Sequence, residues 1–126
     1  MSNILIYEPH KEQVRRLIFL LRLAGHDCTV AYTADEAVNW LRADKFLETG
    51  FDLLLLGADP EQAILDLLSE EAQGRREIPL VCLRRYESKH GEVLPTGITY
   101  CQPENLISTL SDFLPDSEAL EKQKSP

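Results

Sequence analysis

At 126 residues, 44% of them hydrophobic, the chain has the size and apolar content of one globular domain with an ordinary core. Its net charge of −8 argues against nucleic acid, whose phosphates reward Lys and Arg. Met1-Ser2-Asn3 lacks the basic region and apolar core of a signal peptide, and no apolar run approaches a membrane span. A cytoplasmic protein with no membrane partner is therefore expected. Cys28, Cys82 and Cys101 are odd in number and widely spaced, in apolar or alternating segments. Buried reduced thiols are the plain reading, and a redox pair of Cys82 and Cys101 on neighbouring strands is the alternative.

Asn3 to Glu8 forms a short apolar run, read as a first buried strand that Pro9 and His10 break. Lys11 to Ala24 follows, with Val14, Leu17, Ile18 and Leu21 at i, i+3, i+4 and i+7, the stripe of a helix that Gly25 closes. This helix is apolar on two sides. At about 100° per residue, Phe19, Leu20 and Leu23 gather on the opposite face, with Arg15, Arg16 and Arg22 near them. A helix packed on a sheet needs one apolar face, so these three are expected to form a homodimer or partner surface, against the alternative of burial beneath the last helix.

Asp27 to Tyr32 is rich in strand formers. Thr33-Ala34-Asp35-Glu36 has the form of a capping box for a helix carrying Ala34, Ala37, Val38 and Leu41 inward. Trp40, beside that stripe, is expected to fill a groove between helices. The run Asp52 to Gly57, four leucines after an aspartate, is what a strand buried on both faces looks like. Asp59 and Pro60 have the chemistry of N-cap and first helical residue for a helix bearing Ala63, Ile64, Leu67 and Leu68 and ended by Gly74.

Ile78 to Leu83 and Ile98 to Cys101 are the fourth and fifth strands. Between them Gly91 and Pro95 interrupt the crossover from Arg84 to Gly97, which predicts a reduced, mobile fourth helix. The last helix spans about Pro103 to Leu114, with Leu106, Ile107, Leu110, Phe113 and Leu114 inward. Pro115 stops it, leaving Asp116 to Pro126 as a frayed polar tail. The domain is thus 1–114 and the tail 115–126. Strands alternating with helices require crossovers, which gives an α/β fold: a doubly wound, five-stranded parallel sheet in the flavodoxin-like order 2-1-3-4-5.

Five such units resemble the receiver domain of bacterial response regulators. The markers are Ile4-Leu5-Ile6-Tyr7-Glu8 before a helix ending at Gly25, the run Asp52-Leu53-Leu54-Leu55-Leu56, Ile78-Pro79-Leu80-Val81-Cys82-Leu83, and Gln102-Pro103. The resemblance implies an acidic pair after the first strand holding Mg²⁺ and an aspartate ending the third that takes a phosphoryl group from a histidine kinase. It also implies a hydroxyl after the fourth strand and a lysine before proline after the fifth. Here those positions hold Glu8 and Pro9, Gly57, Arg84 and Gln102. Gly57 supplies no nucleophile, so the chain resembles a degenerate, or pseudo-, receiver, with no enzymatic activity, no cofactor and no metal expected.

Asp59, two residues past Gly57, is read as a helix cap, and a relocated phosphoacceptor is its rival reading. Glu8, His10 and Asp59 could together ligate a metal, against a solvated loop histidine. Arg84 is expected either to fill the vacated pocket and pair with Glu8 or Asp59, or to face solvent. The function expected is a stand-alone signalling or scaffold module of a two-component phosphorelay, contacting a histidine kinase or effector without aspartyl phosphorylation. The alternatives are a phosphorylatable receiver using Asp59 and a small-ligand-binding flavodoxin-like domain.

Overall fold

The computed structural model describes residues 2–43, 50–57, 60–73, 78–84 and 98–114. Five parallel strands, β1 (Asn3–Tyr7), β2 (Asp27–Ala31), β3 (Leu53–Leu56), β4 (Leu80–Leu83) and β5 (Ile98–Cys101), form one sheet in the order β2-β1-β3-β4-β5. This is the expected architecture. Four α-helices accompany them among the described residues: α1 (Lys11–Leu23), α2 (Ala34–Ala43), α3 (Gln62–Gln73) and α4 (Leu106–Ser111), the last entered through a 3-10 turn at Pro103–Asn105. The predicted reduced helix of the Arg84–Gly97 crossover and the tail from 115 lie outside the described residues. No helix among the described residues is long and apolar enough to cross a membrane.

Alternation along the strands divides the core in two. Leu5, Tyr7, Leu54, Leu56, Leu80 and Cys82 face Ala37, Val38 and Leu41 of α2 and Leu65, Leu68 and Ala72 of α3. Ile4, Ile6, Leu53, Leu55, Val81 and Leu83 face Leu17 and Leu21 of α1 together with Leu106, Leu110 and Leu114. All four leucines of β3 are buried, each contributing roughly 1.5–3 kcal/mol on burial. That is why an unbroken apolar run, rather than an alternating one, makes the central strand.

Local signals set most boundaries. Gly25, with φ of 91°, ends α1 where a side chain would be strained. The Glu36 N–H donates to Thr33 Oγ1 at 3.2 Å, as a capping box requires. Glu36 Oε2, however, accepts from the Tyr32 N–H at 2.9 Å, one residue before the threonine of the box. Asp52 ties the amino ends of two strands together. Its Oδ2 accepts from the Asn3 N–H at 2.8 Å, and its own N–H donates to the Asn3 carbonyl at 2.8 Å.

Some expectations need correction. The helix after β3 starts at Gln62, with Leu65 N–H donating to the Glu61 carbonyl, so Pro60 is not its first residue and the N-cap falls at Glu61. Its buried face is Leu65, Leu68 and Ala72, with Ile64 partly buried, while Ala63 and Leu67 are exposed. Among the residues expected inward on the last helix, Phe113 is exposed and Ile107 only partly buried. Trp40 packs edge-on to Phe51 at 6.1 Å, on the segment entering β3. Cys82 belongs to one core and Cys101 to the other, on opposite faces of the sheet, and all three cysteines are free thiols. A Cys82–Cys101 redox pair is excluded by that alternation.

Candidate functional site

Backbone pairing continues one residue past the strands and brings the sequence-predicted positions together. The Gly57 N–H donates to the Tyr7 carbonyl at 2.8 Å, Glu8 N–H to the Ala31 carbonyl at 3.1 Å, and Arg84 N–H to the Cys101 carbonyl at 2.8 Å. Glu8, Gly57, Arg84 and Gln102 thus line up at the carboxyl ends of β1, β3, β4 and β5, where open α/β sheets place their sites. Pro9 sits exposed in the bend that follows Glu8. Gln102 precedes Pro103 as the N-cap of the 3-10 turn, its carbonyl accepting from the Asn105 N–H at 2.9 Å.

Glu8 is only 3% exposed. Its carboxylate lies over Gly57: a Cβ built at 57 would collide with Oε2 and stand 2.6 Å from Cδ. A side chain at 57 would force the Glu8 carboxylate out of its present position, so the glycine is what admits this close approach. His10 is the N-cap residue of α1, with no side-chain cap hydrogen bond. Its Nδ1 stands 3.6 Å from Glu8 Oε1, with the imidazole largely in solvent. Tyr7, one residue back, has its phenol pKa pushed up, first by burial and then by the carboxylates of Glu8 and Glu61.

Glu8 and Gly57 open on a crevice of about 150 Å³, lined also by Gln13, Arg16, Leu17, Leu20, Leu83, Pro103 and Leu106. Sequence reasoning did not assign Gln13, Arg16 or Leu83 to the site. Their places, on the first two turns of α1 and the last residue of β4, were readable in principle from the strand order alone. The guanidinium carbon of Arg84 lies 5.2 Å from the Tyr100 ring centroid, a cation–π stack on the neighbouring strand. Asp59 lies outside the described residues, and with it the expected Arg84–Asp59 pair and the Glu8–His10–Asp59 metal set. Among the described residues no group of three His, Cys, Asp or Glu side chains could hold a metal ion.

Among the described residues, those at the strand ends do not fit a Mg²⁺ centre of the receiver kind. Such a centre takes several oxygen ligands in near-octahedral array. The acidic pair is reduced to Glu8 beside Pro9, and Glu8 itself fills the space above Gly57.

The fold is that of a response-regulator receiver domain. Response regulator TrrA of Thermotoga maritima, solved in complex with Mg²⁺ and BeF, superposes with a TM-score of 0.67 at 18% identity, covering 90% of this chain and 100% of that one. Chemotaxis protein CheY4 of Vibrio cholerae gives 0.68 at 16% identity, over 90% and 99% of the two chains. The N-terminal domain of a response regulator/sensory box/GGDEF protein of Carboxydothermus hydrogenoformans gives 0.67 at 21%, over 94% and 98%. No protein-family model and no curated protein sequence matches the chain.

Proposed function

We propose that this chain is a pseudo-receiver: a cytoplasmic signalling or scaffold module of a two-component phosphorelay that works by protein contact, without aspartyl phosphorylation or catalysis of its own. The observation that carries the reading is Glu8 over Gly57. Where the resemblance puts a phosphoacceptor there is a glycine, and the space its side chain would need holds a buried carboxylate. An incoming phosphoryl group would meet negative charge and no nucleophile at that position. Ligand binding in the strand-end crevice is disfavoured by size, since small-molecule pockets run from about 300 to 1,000 Å³ and this one is about 150 Å³.

Incubation with acetyl phosphate and Mg²⁺, followed by intact-mass measurement, is the test. No phosphoryl adduct is expected, with a phosphorylatable receiver in the same tube as the positive control. An adduct that disappears in Asp59→Asn would establish the relocated acceptor instead.

A further inference from the structure

The crevice at the strand ends is assembled from several elements, each giving it one or two residues. Glu8, Gly57 and Leu83 stand at the ends of β1, β3 and β4, Leu17 comes from α1, and Leu106 opens α4. All five are buried. Arg16 and Leu20, one turn apart on α1, form an exposed rim. Phe19, Leu20 and Leu23 are exposed, so the last helix does not bury them, and of the three only Leu20 lines this crevice.

The crevice thus carries one charge of each sign, placed at different depths. A carboxylate lies in its buried part and a guanidinium at its rim, with leucines between them. A carboxylate out of water gains from a cation that comes to it, and His10 approaches Glu8 Oε1 only from the solvent side, at 3.6 Å. An anion alone would bring its charge against Glu8. A cation alone would pass Arg16 and leave the guanidinium without a counterpart. A short molecule bearing both an ammonium and a carboxylate meets each with its opposite, and its aliphatic part lies against Leu17, Leu83 and Leu106. The volume of about 150 Å³ argues against a drug- or cofactor-sized ligand, and it suits a molecule of a few heavy atoms. We propose that this crevice binds a small aliphatic amino acid as its zwitterion, with the ammonium on Glu8 and the carboxylate on Arg16. This goes beyond the contact-module reading, since it gives the module a small-molecule input where receivers take a phosphoryl group.

The test is a ¹H–¹⁵N titration of the full chain with four probes of similar size. L-Valine and 4-aminobutyrate carry both charges, butylamine the cation alone and butyrate the anion alone. At least one zwitterion is expected to move the Glu8, Gly57 and Leu83 amide signals saturably, with neither single-charge probe doing so at the same concentration. Glu8→Gln and Arg16→Gln should each weaken that binding about tenfold or more, as loss of a charged hydrogen-bond partner does. Arg16 is exposed, so its variant should fold even where the change at buried Glu8 is not tolerated. No saturable shift with either zwitterion overturns the proposal. So does binding of butylamine or butyrate as tight as that of the zwitterions, or zwitterion binding that Arg16→Gln leaves unchanged. Phosphorylation is read separately by intact mass, so failure of ligand binding and failure of the pseudo-receiver reading are distinguishable.

Discussion

Glu8 and Gly57 interact as a pair, and a double-mutant cycle isolates that interaction. Gly57→Ala adds one methyl group where the Glu8 carboxylate already stands, and overpacking of this kind costs about 1–3 kcal/mol. In a Glu8→Ala background the same change should cost at least about 1 kcal/mol less, measured by urea unfolding. An equal cost in both backgrounds would mean that Glu8 does not occupy that space. The two residue types were legible in the sequence, but their contact was not. It depends on the parallel register that pairs Tyr7 with Leu56 and so sets the next residues side by side. Cys28 makes a second case at this scale. Burial is the first cause that pushes its thiol up to about 11, and the nearby Arg22 only partly opposes it. Thiol labelling at pH 8 should therefore be slow and rise steeply toward pH 11. In stability the sign is negative: between the ordinary thiol pKa and about 11 the unfolded chain ionises first, so stability falls as pH rises through that window. A Cys28→Ser variant should flatten that fall in a pH series of urea unfolding midpoints.

Among the elements, strands and helices were not equally readable. β3 and β5 stand where their apolar or strand-forming runs end at turn residues, and α1 ends at the glycine that its geometry demands. The face of α3 was not legible, for a physical reason. Ala63, Ile64, Leu65, Leu67 and Leu68 are nearly continuous, so two stripes fit the same residues, and only Ala72 at i+7 from Leu65 favours the one that is buried. The consequence is measurable. Leu68, with 0% exposure, should cost about 2–5 kcal/mol on replacement by Ala. Leu67, at 39% exposure, should cost less than about 1 kcal/mol. Comparable losses at both positions would restore the stripe expected from the sequence. The side to which each cysteine of β4 and β5 turns was likewise hidden, because it depends on which residue of one strand pairs with which of the other.

For the whole molecule, the proposed pseudo-receiver reading separates the receiver scaffold from the receiver chemistry. Two leucine-rich cores on either side of the sheet preserve the architecture without reference to what stands at the strand ends. A protein can therefore keep the fold while losing the pocket, since function resides in the site rather than in the scaffold. Metal linkage tests that separation globally. A ligand that binds only the folded state stabilises it in proportion to occupancy, by roughly 1.4 kcal/mol at ten times its dissociation constant. In a domain of this size that raises the thermal midpoint by several degrees. With a single carboxylate left after β1 and the space above Gly57 filled by it, millimolar Mg²⁺ should leave the midpoint unchanged, with or without beryllium fluoride. Ca²⁺ and extra NaCl at matched ionic strength control for charge screening on an acidic chain. A rise specific to Mg²⁺, increased further by beryllium fluoride, would place an intact acceptor site in this molecule and overturn the pseudo-receiver reading at the level of the whole fold.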